Sequence, residues 1–239
     1  MGFFNFLSRQ RDKYSLNLLN HDSYWLLSAL MLSVFNNLKD TIHQFAHGKI
    51  LDAGAGTLNL RSLLESHGTQ YVSMDISTIR AKVDIIGDIQ NMPHVASNQF
   101  DTIFCSEVLE HVPEPWKAIS EFHRVLKVGG IVIITVPHLS GLHEEPHDYY
   151  RYTPYALNFL LSKNGFEVKE ERRIGGLLSF LFHPVSFVVV LSVWSIPGVR
   201  WIVWLLNMIF LVYGVTWVER FLGLYRKFPA NLLIVGQKI

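Results

Sequence analysis

Two stretches of this chain gather residues able to do chemistry. The first is Asp52-Ala53-Gly54-Ala55-Gly56-Thr57. Two glycines one residue apart let a backbone turn tightly and approach a ligand closely. Asp75 follows where an acid can accept both hydroxyls of a ribose. Asp88, in Gly87-Asp88-Ile89, stands where an acid or a backbone group can face an adenine amino group. Asp52 comes just before the glycines. A carboxylate there repels a pyrophosphate and suits a cationic amino-acid end, which favours a sulfonium nucleoside over a dinucleotide.

The second stretch is Pro137 to Tyr152. It holds His138, His143 and His147, the acids Glu144, Glu145 and Asp148, and Tyr149, Tyr150 and Tyr152. A merely connecting loop rarely needs such side chains. Histidine titrates near neutrality and can take a proton from a hydroxyl or an ammonium. His147, beside Asp148, is the first candidate for a general base, and His143 the second. The same residues could instead stitch the loop together through hydrogen bonds. Upstream, Glu107, Glu110 and His111 form E-x-x-E-H, a set able to hold magnesium or a transition metal. Capping and core packing explain the same letters, and no metal is expected.

Strands and helices must position these groups. Tyr24, Leu27, Met31, Val34, Leu38 and Ile42 recur at helical spacing and predict a helix over Ser23 to Ile42, capped by Asp22 or Ser23. From Lys49 the pattern alternates. Strands are expected at Lys49–Ala53, Gln70–Asp75, Val83–Gly87, Phe100–Cys105 and Ile131–Val136, with helices at Leu58–Ser66 and Trp116–Leu126. Thr153-Pro154 opens a further helix that Gly165 closes, before strands Phe166–Arg172 and Asn231–Val235. Such alternation predicts an α/β fold, a doubly wound Rossmann-like sheet with helices on both faces.

Three motifs sharpen this. Ile50-Leu51-Asp52-Ala53-Gly54-Ala55-Gly56 resembles the first motif of class I S-adenosylmethionine-dependent methyltransferases. Phe100-Asp101-Thr102-Ile103 leading to Glu107-Val108-Leu109-Glu110-His111-Val112 looks like their fourth. Arg124-Val125-Leu126-Lys127-Val128-Gly129-Gly130 is similar to their R-x-L-K-P-G-G turn, with Val128 in place of proline. The resemblance runs from about Lys49 to Val136 and weakens beyond. It implies a seven-stranded sheet whose last strand is antiparallel, and S-adenosylmethionine as cofactor. Asp52, Gly54 and Gly56 would hold its methionine end, Asp75 the ribose, Asp88 and Ile89 the adenine, and Ile76 would also bind the cofactor. Ser106 and Glu107 would line the floor of the site.

The 239 residues suffice for one such domain. Lys and Arg total 21 against 20 acids, so the strongly basic footprint of a nucleic-acid binder is missing. Cys105 is the single cysteine, which excludes an intrachain disulfide. Mean hydropathy is high at +0.22, and the excess sits near the C-terminus. Leu177 to Ile196 carries no acid, lysine or arginine, Pro197-Gly198 interrupts, and Val199 to Val218 is similar apart from Arg200. About twenty such residues can cross a hydrocarbon core. Trp194, Trp201, Trp204, Tyr213 and Trp217 lie toward the ends, as interfacial aromatics do, and basic residues flank the segment.

The expected organisation is an N-terminal helical arm (1–48), whose Phe3, Phe4, Phe6 and Leu7 precede basic residues, and a methyltransferase domain (49–239). An apolar helical hairpin (177–218) is inserted before the last strand. Because that strand must rejoin the sheet, the hairpin crosses an even number of times or dips in and returns. The expected protein works on the cytoplasmic side of a membrane, upon a small-molecule or lipid-linked acceptor. Its oligomeric state is open, and the alternative use of the hairpin is to pair two copies.

Overall fold

The computed structural model describes residues 2–18 and 22–239. The roles expected for Phe3, Phe4 and a capping Asp22 fall on side chains outside the described residues. The chain divides into two compact units: residues 38–172 with 231–239, and residues 1–37 with 173–230.

The first is the α/β unit. Seven strands form one sheet: β1 (Lys49–Ala53), β2 (Gln70–Asp75), β3 (Ile85–Ile86), β4 (Phe100–Ser106), β5 (Leu126–Pro137), β6 (Phe166–Ile174) and β7 (Asn231–Lys238). Their spatial order is β3-β2-β1-β4-β5-β7-β6. β1 pairs in parallel with β2 and β4, and β4 with β5, whereas β7 runs antiparallel to β5. The sequence order reverses on either side of β1, so the carboxyl ends of β1 and β4 border a topological switch point, where α/β sheets place ligands. The central strands are buried on both faces, as their apolar runs require.

Helices α4 (Pro115–Val125) and α5 (Pro154–Lys163) contribute to one core with the sheet through Ala118, Ile119, Phe122, Leu157 and Leu161. Thr153 caps α5 as expected, its hydroxyl accepting from the Ala156 amide at 3.2 Å. Asp101 is structural: its carboxylate accepts from the Lys49 amide and from Lys127 Nζ, tying β4 to β1 and β5.

Several boundaries differ from expectation for local reasons. The predicted helix Ser23–Ile42 is interrupted at Ser28; a short 3-10 turn (Asp22–Leu27) precedes α2 (Ala29–Phe45). Ser28 Oγ accepts the Met31 amide and so caps α2 in place of the earlier residues. The helix expected over Leu58–Ser66 shrinks to α3 (Arg61–Glu65), because Leu58 takes a left-handed conformation (φ +60°). β3 keeps two residues, since Asp84 leaves the ladder to accept both the Ser73 amide and its hydroxyl. β5 begins at Leu126 and runs through the Gly129-Gly130 pair, which makes an irregularity within the strand and not the helix end.

The second unit is helical. α1 (Gly2–Leu18) packs with α6 (Leu177–Val193) and α7 (Val199–Leu222) around Tyr14, Leu18, Leu27, Val190, Leu191 and Trp194. Tyr14 and Trp194 meet edge to face with centroids 4.7 Å apart, and the Tyr14 hydroxyl donates to the Tyr24 carbonyl. The buried Glu219 carboxylate accepts from both the amide and hydroxyl of Ser179, locking α7 to α6. Among the described residues, α7 alone is long and apolar enough to cross a membrane, by length and composition. The first arm of the expected hairpin is shorter than predicted: α6 stops at Val193, and its 17 residues reach about 26 Å, short of a 30 Å hydrocarbon core.

Candidate active site

β1 ends in the glycine turn at the carboxyl edge of the sheet. Gly54 adopts φ +87°, a conformation that side chains rarely accept. A Cβ there would also lie 2.3 Å from Val108 Cγ2, so two chain segments meet at this point only because the residue is glycine. The Gly54 and Ala55 amides both donate to the Met74 carbonyl, at 2.8 and 2.9 Å, fastening the turn to β2. The Gly56 amide donates to Asp75 Oδ2 at 2.9 Å, and the Ser77 amide to Oδ1 at 3.2 Å. The expected pair of turn and acid is therefore assembled.

Asp52 is 5 % exposed. Burial raises its carboxyl to about 7, opposed by a hydrogen bond from Tyr71, with Asp75 adding repulsion. The Tyr71 hydroxyl donates to Asp52 Oδ2 at 2.7 Å. Sequence reading missed Tyr71; its place two residues before Ser73, the register partner of Asp52, puts it on the same face. Beside Asp75, Ile76 is 72 % exposed, an apolar side chain presented to solvent. Ile89 is buried. Asp88 is turned into its own loop, both oxygens accepting from Gln90 Nε2 and Oδ1 also from the Gln90 amide.

At the end of β4, Ser106 and Thr135 share a 2.7 Å hydroxyl hydrogen bond. Glu107 follows with φ +54° and accepts from Asn231 Nδ2 at 2.9 Å. Burial pushes its carboxyl above the usual range, against the hydrogen bonds of Thr135 and Asn231. Asn231, the first residue of β7, was not foreseen; nothing in its local sequence signals a partner 124 positions away.

The loop after β5 is clasped to the turn Leu109–His111. The Tyr149 and Tyr150 amides donate to the Glu110 carbonyl, and the Tyr152 hydroxyl to that of Leu109. His138 donates through Nδ1 to the Tyr152 carbonyl. Asp148 does not pair with His147 as the sequence order suggested. It takes a bidentate ion pair from Arg151, at 2.6 and 2.8 Å, and accepts the His143 amide at 3.0 Å. Arg151 holds this carboxyl well below the ordinary aspartate value. His143 Nδ1 lies 3.5 Å from the same carboxylate, while the exposed His147 meets the Tyr149 hydroxyl. Neighbouring chain positions point apart in this loop, which is why adjacency misled. Ser140, Gly141, Leu142, Asp148, Tyr149, Tyr150 and Arg151 line an open cavity of about 360 Å³.

The site fits a cofactor with a cationic amino-acid end and a ribose. Asp52 is a buried acid with no ion-pair partner among the described residues, Asp75 is oriented by the glycine turn, and Ile76 offers an uncovered apolar surface. Cys105 is a core residue, its thiol pushed up by burial.

Comparison with known proteins agrees. Residues 51–134 match the methyltransferase domain family. A ubiquinone biosynthesis O-methyltransferase from Pseudomonas aeruginosa is 28% identical over 114 residues, covering 42% of this chain and 47% of that protein. The chain spans about half the length of the curated relatives it matches. Among solved structures, the [4+2]-cyclase SpnF superposes with a TM-score of 0.58 at 18% identity, over 85% of this chain and 81% of that one. An S-adenosylmethionine-dependent methyltransferase from Archaeoglobus fulgidus gives 0.51 at 18% identity, over 85% and 94%. Matched motifs and strand order converge: residues 51–134 are similar to the methyltransferase domain family, and the seven-stranded sheet with antiparallel β7 is a class I methyltransferase fold.

Proposed function

We propose that the protein transfers the methyl group of S-adenosylmethionine to an oxygen of a membrane-associated acceptor: a glycolipid, a polyprenyl-linked saccharide, a quinone precursor or another lipid. The observation that carries the cofactor half is the pairing of the buried Asp52 with the Gly54–Gly56 turn and Asp75. Bound there, the cofactor supplies an electrophilic methyl group. Asp52 would hold the ammonium end, Asp75 the ribose hydroxyls, Ile76 and Ile89 the adenine side; Asp88 would do so after releasing Gln90. Ser106 and Glu107 would form the floor.

Methyl transfer is an in-line displacement, so alignment and exclusion of water provide most of the acceleration. A hydroxyl acceptor must lose its proton, and His143 and His147 are the candidate bases. Asp148 and Arg151 would keep the loop in shape. The Pseudomonas relative is, by its name, an O-methyltransferase of ubiquinone biosynthesis, which supports an oxygen acceptor of lipid character.

The membrane half rests on α7. Ile202, Leu205, Leu206, Ile209, Phe210, Tyr213, Trp217 and Phe221 are all exposed and recur at three- and four-residue spacing, forming one uncovered apolar stripe. At the α6–α7 turn, Lys13 Nζ donates to Ser195 Oγ, and Arg200 lies over the rings of Trp194 and Trp201. Cations at the tip suit headgroups, so the hairpin dips into one leaflet and returns, and the protein sits on the cytoplasmic side.

Labelled-methyl transfer tests this. With S-adenosylmethionine as donor, the label should enter a component of a total lipid extract. Label appearing only in a water-soluble extract would contradict the lipid acceptor.

A further inference from the structure

Beside the floor of the cofactor site, Glu110, His111 and His143 converge on one point. Glu110 is fully buried, and neither carboxylate oxygen has a hydrogen-bond partner. His111 Nε2 lies 3.5 Å from Glu110 Oε1, and His143 Nε2 lies 3.8 Å from the same oxygen. The Nδ1 contacts fix the tautomer of His111. His111 Nδ1 meets the His147 carbonyl at 2.7 Å, and His143 Nδ1 meets the Gly141 carbonyl at 3.1 Å. A carbonyl only accepts, so His111 Nδ1 carries the proton and the neutral ring turns its Nε2 lone pair toward Glu110, whereas His143 Nδ1 also lies 3.5 Å from the donating Arg151 Nη2. A buried carboxyl with no hydrogen-bond partner is left unsatisfied unless a proton or a cation occupies the space between it and the imidazoles.

We infer that Glu110, His111 and His143 bind a divalent transition-metal ion. The three ligand atoms all lie within 4.8 Å of one another. Ligands held about 2.0–2.1 Å from a tetrahedral zinc stand roughly 3.4 Å apart, so small side-chain shifts complete the set. Two imidazoles and one carboxylate select zinc, iron(II), cobalt(II) or manganese(II) over magnesium, which prefers oxygen and water. The Nδ1–H···O=C bonds are the outer contacts that orient histidine ligands.

This set is not the E-x-x-E-H run that the sequence offers. Glu107 is held by Asn231 on β7, and its place is taken by His143, from the loop after β5. The ion would pin that loop to the Leu109–His111 turn and leave a coordination position for water or an acceptor oxygen. His143 would then be a ligand, with His147 left free to take a proton.

Cobalt(II) titration of the tag-free full chain, stripped with a chelator, tests the site. We expect visible absorption bands that saturate at one ion per chain and resist a tenfold excess of magnesium. His143→Ala changes a half-buried loop residue and should weaken binding at least tenfold, as should Glu110→Gln. His67→Ala should leave binding unchanged; it removes the other close histidine pair, His43–His67. Zinc should raise the melting temperature of the wild type and not of His143→Ala. No band at equimolar cobalt, magnesium displacing the cobalt, or wild-type affinity in both His143→Ala and Glu110→Gln would overturn the assignment.

Discussion

The Tyr71 hydroxyl donates to Asp52 Oδ2 across 2.7 Å, at the mouth of the glycine turn. The hydrogen bond keeps a buried carboxyl oriented while burial holds its affinity for protons high. A cationic ligand end would complete the arrangement.

A pH dependence follows. The Asp52 carboxyl, raised to about 7, is largely protonated in the ligand-free protein below that pH. An ammonium binds the ionised form. Affinity for S-adenosylmethionine should therefore rise between pH 5.5 and 7, by up to about tenfold per unit. Equilibrium dialysis across this range checks it, and Asp52→Asn should bind weakly with a flat profile. The folded-state value is raised, so the ligand-free protein should lose stability as pH climbs from about 4 toward 7, and Asp52→Asn should remove that slope.

The close approach at Gly54 gives a stability test. Gly54→Ala should cost about 1–3 kcal/mol from the left-handed backbone alone, and more from the collision with Val108. Urea unfolding of the single variants and of Gly54→Ala/Val108→Ala forms a cycle. The double variant should recover the collision part and leave the backbone part, and strict additivity would show that the contact has no energetic weight.

Asp148 and Arg151 predict a separation of effects. Arg151→Met removes the bidentate partner of Asp148 from a loop to which no cofactor contact is assigned. Catalytic efficiency should fall at least tenfold while cofactor affinity stays within twofold. The Asp148 carboxyl lies below its ordinary value, so its stabilisation is present above about pH 4 and is lost as acid approaches the folded-state value. Arg151→Met should lessen that loss, which acid unfolding measures.

The apolar stripe of α7 gives a fourth. Trp217→Asp with Phe221→Asp places charge on an exposed face without touching the buried Glu219–Ser179 lock. Sedimentation with vesicles containing anionic lipid should show at least tenfold weaker association, the fold being unchanged by circular dichroism. If the variant binds vesicles normally and instead converts a dimer to a monomer, the stripe pairs two copies of the chain.

How far the sequence carried depended on the range of the contacts. β1, the glycine turn, Asp75 and the Thr153 cap were legible because each is set within a few residues or by a local period. The seven-stranded sheet and its antiparallel β7 came from family resemblance. The Asp52–Tyr71 bond required a strand register, and the Glu107–Asn231 bond joins residues 124 positions apart. Asp148 was assigned to its neighbour His147, whereas a bidentate guanidinium three residues on outcompetes an imidazole. Ser28 broke a periodic helix because its hydroxyl caps the next turn. His143 gained its place beside Glu110 only through the path of a loop, which periodicity does not describe.

The most direct test of the central claim is a calorimetric titration of S-adenosylmethionine into the full chain near pH 7.5, beside Asp52→Asn. Saturable one-to-one binding that the substitution weakens at least tenfold is the predicted result. Absence of binding at millimolar cofactor, or equal affinity in the two proteins, would contradict the assignment of the Asp52–Gly56 turn.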